Sequence, residues 1–341
     1  MLSPKDKRIL AELQNDFPLV PDPFAVVARR LKMEAGQFLV AVRALERRKL
    51  IRYIGATFDV RKAGCVSTLA ALEVPRERIA ATAAYIAGQP RITHNYLRPG
   101  RMNMWFTVSG FSAGDNGRLI EGIRKRCGLT AALDLSTEKV YKIDARFELR
   151  TSAPLRRELG TAAAAIGRGA ACRCTVAVRR RVVVPARLLA PLSASLAVVP
   201  RPFAGIGRRY GLSEKQVIAA FKKYLDSGFI RRCGAVLEHR RVGLRANVMV
   251  AWEVAAKNID AAGASMAGIA QVSHCYCRKS YPQWPFNLYT MVHARTPGEC
   301  RRIIALILRR NKHTIKQYRQ LRTLRELKKT RMDLRWMKKA A

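Results

Sequence analysis

Two strings in the 341-residue chain carry residue types able to move protons and hold anions. The first is Thr93-His94-Asn95-Tyr96-Leu97-Arg98 followed by Asn103-Met104-Trp105-Phe106-Thr107. The second is Ser273-His274-Cys275-Tyr276-Cys277-Arg278 followed by Tyr281-Pro282-Gln283-Trp284-Pro285-Phe286-Asn287-Leu288-Tyr289-Thr290-Met291-Val292-His293. An unperturbed imidazole titrates close to neutral pH, so His94 and His274 are suited to deliver a proton. Arginine binds a carboxylate through two parallel hydrogen bonds and keeps its charge in a partly dry pocket, which makes Arg52, Arg98, Arg231, Arg232 and Arg278 candidates for holding an acidic ligand. Tyr96, Trp105, Tyr276, Trp284 and Tyr289 could supply apolar walls and phenolic donors. Each type has a plainer alternative: a structural strand histidine, a solvated surface arginine, an aromatic ring packed between strands. Recurrence in register favours function for the two histidines. His239, His293 and His313 lack that recurrence and read as structural or surface residues, although His293 closes the second string.

The recurrence belongs to an internal repeat. Val20-Pro21-Asp22-Pro23-Phe24 is echoed by Val199-Pro200-Arg201-Pro202-Phe203, and Ile51-Arg52 through Gly55-Ala56 by Ile230-Arg231 through Gly234-Ala235. At the same offset Gln37 meets Gln216, Arg61 meets Arg240 and Gly64 meets Gly243; the register then slips by one, so that Glu73-Val74 matches Glu253-Val254 and His94, Tyr96 and Arg98 match His274, Tyr276 and Arg278. After a short insertion Asn103 matches Asn287. One domain has been duplicated.

The elements that must position these residues read alike in each copy. Ile9, Leu10 and Leu13, then Phe24, Val27 and Leu31, then Phe38, Val42 and Leu45 recur at three-to-four spacing, predicting three short helices and a helix-turn-helix. In the second copy Ser213 with Gln216 forms a capping box ahead of Val217, Phe221 and Leu225; the first copy has Glu34 there. Strand-like runs follow at Ile51 to Phe58, Val66 to Val74, Thr93 to Leu97 and Met102 to Val108, with helical stretches near Arg76 to Ala87 and Gly117 to Cys127, giving a βαββαβ order. The fold class expected is α+β: two tandem copies, each a helix-turn-helix followed by a ferredoxin-like βαββαβ domain. The boundaries drawn are 1–60 and 61–150 for the two parts of copy one, and 198–240 and 241–341 for those of copy two, the last with a basic tail. Between them 151–197 reads as an Arg/Ala-rich linker with one acid, Glu158. Copy two shows no convincing counterpart of the Lys5 to Asn15 helix, so a degenerate first helix is expected in that stretch.

Sixty-four Lys and Arg against 24 Asp and Glu give a net charge of +40, a field that draws in polyanions: nucleic acid, anionic membrane or polycarboxylate. The third helix argues against the first, since Gly36, Ala41 and Ala44 cannot read base edges, and Lys215, Lys222 and Lys223 would anchor phosphates without reading sequence. The eight cysteines lack CxxC spacing, and the two C-x-C pairs, Cys172 with Cys174 and Cys275 with Cys277, have no further ligands at a recognisable distance; no metal site and no disulfide framework is expected. No run resembles a signal peptide or a membrane span, so a soluble cytoplasmic protein is expected.

Helix-turn-helix followed by a ferredoxin-like domain resembles the Lrp/AsnC regulators. The two chemical strings, the Phe17-Pro18-Leu19-Val20 with Pro23-Phe24 segment, the Ile51-Arg52 to Phe58-Asp59 strand and the closing Leu324-Arg325-Glu326-Leu327-Lys328-Lys329-Thr330 stretch are similar to the signature strings of siroheme decarboxylases, Lrp-like enzymes of alternative heme and heme d1 biosynthesis that work as pairs of related subunits. The resemblance implies conversion of siroheme to 12,18-didecarboxysiroheme with release of two CO2, and a chain that fuses the usual pair, its copies packing on each other or on a second chain. It implies no cofactor beyond the iron that enters within the substrate, no membrane and no DNA partner. His94 and His274 would donate protons to the new methyls, or one of them would approach the iron as an axial ligand, while the arginines clamp the spectator carboxylates. The alternative is an Lrp-type DNA-binding regulator responsive to heme or another tetrapyrrole.

Overall fold

The computed structural model describes residues 2–15, 17–143, 181–238, 241–243 and 246–340. Glu158, Cys172, Cys174, His239 and Arg240, with most of the linker expected at 151–197, lie outside the described residues.

Copy one opens with α1 (Pro4–Asn15), α2 (Pro23–Arg30) and α3 (Ala35–Arg47). Local chemistry sets the starts: the Asp22 carboxylate accepts from the Ala25 N–H at 3.0 Å, with Pro23 at the first helical position. Glu34 accepts from the Gly36 and Gln37 N–H groups at 2.7 and 2.6 Å and so caps α3. Copy two has its own α6 (Ala186–Ser193), α7 (Pro202–Tyr210) and α8 (Glu214–Asp226), and Ser213 and Gln216 cap α8 reciprocally. The stretch 151–197 therefore contains a first helix for copy two, and that copy's helical unit begins at Ala186, not at 198. Its stripe is short, Leu189 and Leu192 being the buried leucines, and Pro191 interrupts it, which hides the period.

The strand at Ile51–Phe58, β1, lies outside the ferredoxin-like unit, on the side of the boundary at 60 where the sequence placed it, and pairs antiparallel with its repeat partner β6 (Ile230–Leu237), Gly55 facing Gly234. The unit of copy one comprises β2 (Val66–Leu72), α4 (Ile79–Ala87), β3 (Ile92–Leu97), β4 (Met104–Gly110), α5 (Ala113–Arg126) and a strand the sequence pattern concealed, β5 (Ala132–Ile143). Copy two repeats it as β7 (Ala246–Val254), α9 (Ile259–Ala267), β8 (Val272–Arg278), β9 (Leu288–Ala294) and α10 (Pro297–Arg310), closing with β10 (Ile315–Arg322) and β11 (Arg325–Lys329). What reads as a basic tail is thus two paired strands and a 3-10 segment, Leu334–Ala340, whose Leu334 and Met337 are buried among the helices.

The strands make one nine-stranded sheet in the order β10-β7-β9-β8-β5-β2-β4-β3-β11. β5 pairs with β2 of its own copy from Ala132 to Ser136, then crosses to β8 of the other from Thr137 to Ile143. The same exchange recurs at the far end: β10 pairs with β7 of its own copy, and β11 crosses to β3 of copy one. Each copy thus completes the other's sheet. α4 and α5 cover copy one's outer face and α9 and α10 copy two's, while Leu69, Trp105, Leu135, Met249, Trp284 and Leu321 from both copies form a shared interior. All six early helices and the β1–β6 ribbon share a further core.

Candidate active site

A cavity of about 840 Å³ lies between the β1–β6 ribbon and the strands β3, β4, β8 and β9. His94 and His274 both line it, as do Arg52, Tyr96, Arg98, Trp105, Arg231, Arg232, Tyr276, Arg278 and Tyr289. Trp284 does not: it is buried beside Trp105, ring centroids 5.4 Å apart, and donates from Nε1 to the Tyr289 hydroxyl at 2.7 Å, so it supports the cavity wall from behind.

The histidines stand in matching frames. The Nδ1 of His94 is 2.8 Å from the Thr93 hydroxyl, and that of His274 is 2.8 Å from the Ser273 hydroxyl. Each ring lies near-parallel to the tyrosine two residues on, at 6.2 Å from Tyr96 and 6.0 Å from Tyr276. A strand's period of two makes this arrangement, since residues i and i+2 share a face. Burial, and then the charges of Arg52, Lys329 and Lys328, lower the His94 pKa from 6.5 to about 3. His94 is therefore neutral near pH 7, contrary to the near-ordinary titration expected from the sequence. Burial pushes the Tyr96, Tyr276 and Tyr289 phenols up, so all three remain O–H donors.

The arginines divide into two kinds. Arg52 and Arg231, equivalent in the repeat, pair across the ribbon with the other copy's acid: Arg52 Nε lies 3.7 Å from Glu238, and Arg231 Nη2 lies 3.5 Å from Asp59. Burial works against the Asp59 anion, but Arg61 and Arg231 outweigh it and lower the pKa. Arg98 and Arg278 are buried braces at the strand crossings, not open clamps. Arg278 Nη1 donates to the Leu135 carbonyl at 3.1 Å and the Thr137 hydroxyl at 2.8 Å, where β5 changes partner; Arg98 Nη1 donates likewise to the Leu321 carbonyl, and to Thr323 at 3.4 Å. A ladder that switches partner strands leaves carbonyls in need of donors, and these guanidinium groups supply them. Each also lies over a tyrosine, Arg98 at 5.2 Å from Tyr96 and Arg278 at 4.6 Å from Tyr276. Arg232 donates to the Gln14 carbonyl at 2.7 Å and the Ala235 carbonyl at 3.1 Å.

Sequence reasoning missed Lys329, Asn247 and the Thr93 hydroxyl, and set aside His293, all four of which line the cavity; it also missed the Ser273 hydroxyl, which holds His274 from behind the lining. Burial, then His274 and Lys329, lower the His293 pKa to about 3. The hydroxyl immediately before each histidine was a usable signal, because it recurs in register. Lys329 carried none: its place follows from a crossing strand.

The fold and site define a class: a duplicated AsnC-like chain whose ligand cavity is shared by its copies. A family model described as "Siroheme decarboxylase NirDL-like HTH domain" matches residues 6–52 and 186–231, and one described as "AsnC-like ligand binding domain" matches residues 62–142 and 241–328. The chain is 35% identical over 304 residues to a siroheme decarboxylase NirDL subunit of Paracoccus denitrificans, covering 88% of each. Over 148 residues, 43% of this chain, it is 36% identical to the siroheme decarboxylase beta subunit of Methanosarcina barkeri, covering 96% of that protein. Among solved structures it is similar to the siroheme decarboxylase NirDL in complex with an iron-uroporphyrin III analogue, at a TM-score of 0.66 and 26% identity over 97% of each chain. The chain belongs to the siroheme decarboxylase family. Among the described residues no helix is long and apolar enough to cross a membrane, and no His/Cys/Asp/Glu group is arranged to hold a metal ion.

Proposed function

We propose that the chain removes two acetate carboxyls from siroheme, giving 12,18-didecarboxysiroheme. The observation that carries this is one cavity, large enough for a macrocycle, in which the duplicated histidines meet cations from both copies. In each step the bond between the acetate methylene and its carboxylate breaks, CO2 leaves, the bonding electron pair passes into the macrocycle, and one proton converts the methylene to a methyl. The step is redox-neutral, so no external redox cofactor is required, and the iron is part of the substrate.

Electrostatics link binding to protonation. Burial first, and then the cations around it, hold His94 neutral; a polycarboxylate entering the cavity offsets the cationic part, because nearby anions raise an imidazole's pKa. The substrate thereby helps to charge its own proton donor. Arg52 and Arg231 hold spectator carboxylates in exchange for Glu238 and Asp59, and Tyr96 and Tyr276 donate hydrogen bonds beside them. Cys65, Cys127, Cys233, Cys277 and Cys300 are free thiols, which suits the cytoplasm. On the exposed face of α3, Gly36 and Val40 cannot read base edges, which lends the regulator reading little support.

The test is anaerobic incubation of the purified protein with siroheme, followed by mass spectrometry. Loss of two carboxyl units is the expected result. Unchanged siroheme, alongside sequence-selective DNA binding that resists salt, would overturn it.

A further inference from the structure

The two halves of the cavity differ at several matched positions, and at one of them a cation in one half answers an apolar side chain in the other. β11 places Lys329 directly across from His94, and β5 places Ile143 directly across from His274. Lys329 lines the cavity with its side chain 9% exposed, its Nζ 3.1 and 3.3 Å from the Glu238 carboxylate oxygens and 3.6 Å from Glu326. Arg52, from the ribbon, shares Glu238 with it. Two cations therefore converge on one carboxylate beside His94, whereas an apolar side chain fills the matching place beside His274.

We propose that Lys329 and Arg52, which both reach Glu238, take a retained carboxylate of the macrocycle at the His94 end, and that the Lys329/Ile143 difference fixes which way round the macrocycle binds. This rests on the siroheme reading and deepens it. The acetates at the 12 and 18 positions are near mirror images about the macrocycle, and a cavity built from a duplicated domain offers both orientations unless a residue breaks the match. A partly buried ammonium does so, because a carboxylate beside it is far better stabilised than one beside isoleucine. The same pairing decides which acetate goes first. With that retained carboxylate fixed, the macrocycle always presents the same acetate to the His94 half and the other to the His274 half, and the two unlike halves release them at different rates.

Rapid quenching of an anaerobic siroheme reaction, followed by NMR location of the missing carboxyl in the singly decarboxylated product, reads the orientation. The wild-type chain should give one regioisomer, Lys329→Met a mixture, Lys329→Arg the wild-type isomer, and the exchange Lys329→Ile with Ile143→Lys chiefly the opposite isomer. If Lys329→Met fails to fold, Ile143→Lys alone carries the test and should also give a mixture. Equal isomers from the wild type, or the single wild-type isomer from both Lys329→Met and Ile143→Lys, would overturn the assignment while leaving decarboxylation itself standing. A wild-type chain that leaves siroheme untouched overturns the function and this assignment together.

Discussion

His94 and His274 each have Nδ1 engaged by the preceding hydroxyl, a contact that fixes the ring before any ligand arrives. Replacing either histidine by alanine should slow decarboxylation by about 100-fold, the lower range for a lost general acid, with the melting temperature nearly unchanged. Mass-spectrometric turnover beside thermal melting checks this, and full activity in both variants would remove the proton-donor role. A second prediction concerns pH. The His94 and His293 pKa values are depressed to about 3, so between that value and the ordinary 6.5 the unfolded chain binds protons that the folded one refuses. Stability is therefore lost as pH falls below about 6.5, by up to ~1.4 kcal/mol per pH unit for each group. Melting followed from about pH 7 to pH 5 should show the decline, His94→Gln should flatten it, and bound siroheme should reduce it; identical slopes for the variant and wild type would refute the cause. Residue types and recurrence made these histidines legible in the sequence. The depressed pKa was not, because it arises first from burial and then from Arg52, Lys329 and Lys328, which only the fold brings around His94.

At the level of elements, the crossings of β5 and of β10 with β11 decide what the arginines do. Arg278 satisfies the Leu135 carbonyl and the Thr137 hydroxyl from a buried position, so Arg278→Ala leaves a buried acceptor without its donor and should cost about 2–4 kcal/mol in urea unfolding. A loss under ~0.5 kcal/mol would show that the brace is dispensable. The helices were legible because their caps and apolar stripes are local; Ser213, Gln216 and Phe221 suffice to place α8. β5 and β10 were not: β5 mixes half-buried polar positions on both faces, and β10 buries only Leu321. A crossing strand that changes partner midway shows no clean alternation. β1 was recognised as a strand, but its pairing with β6 was not legible, since its composition does not say which neighbour it will find.

For the whole molecule, the repeat announces that the copies are alike and says nothing of how they touch. Both crossings tie copy to copy, and all the early helices share one core, so neither half should be stable alone. Expressing 1–150 and 180–341 as separate chains should give a one-to-one complex that retains siroheme decarboxylation, whereas either piece by itself should aggregate or unfold. Size-exclusion chromatography of the pieces, singly and together, checks it; a folded monomer of 1–150 would contradict it.

The exchanged strands also bear on how such a gene can change. Position 329 is encoded in the second copy but faces the first copy's histidine, and position 143 is encoded in the first but faces the second's. After duplication, then, neither copy could drift by itself: each substitution at a crossing lands in its sibling's half, and paralogous positions there are expected to co-vary between copies.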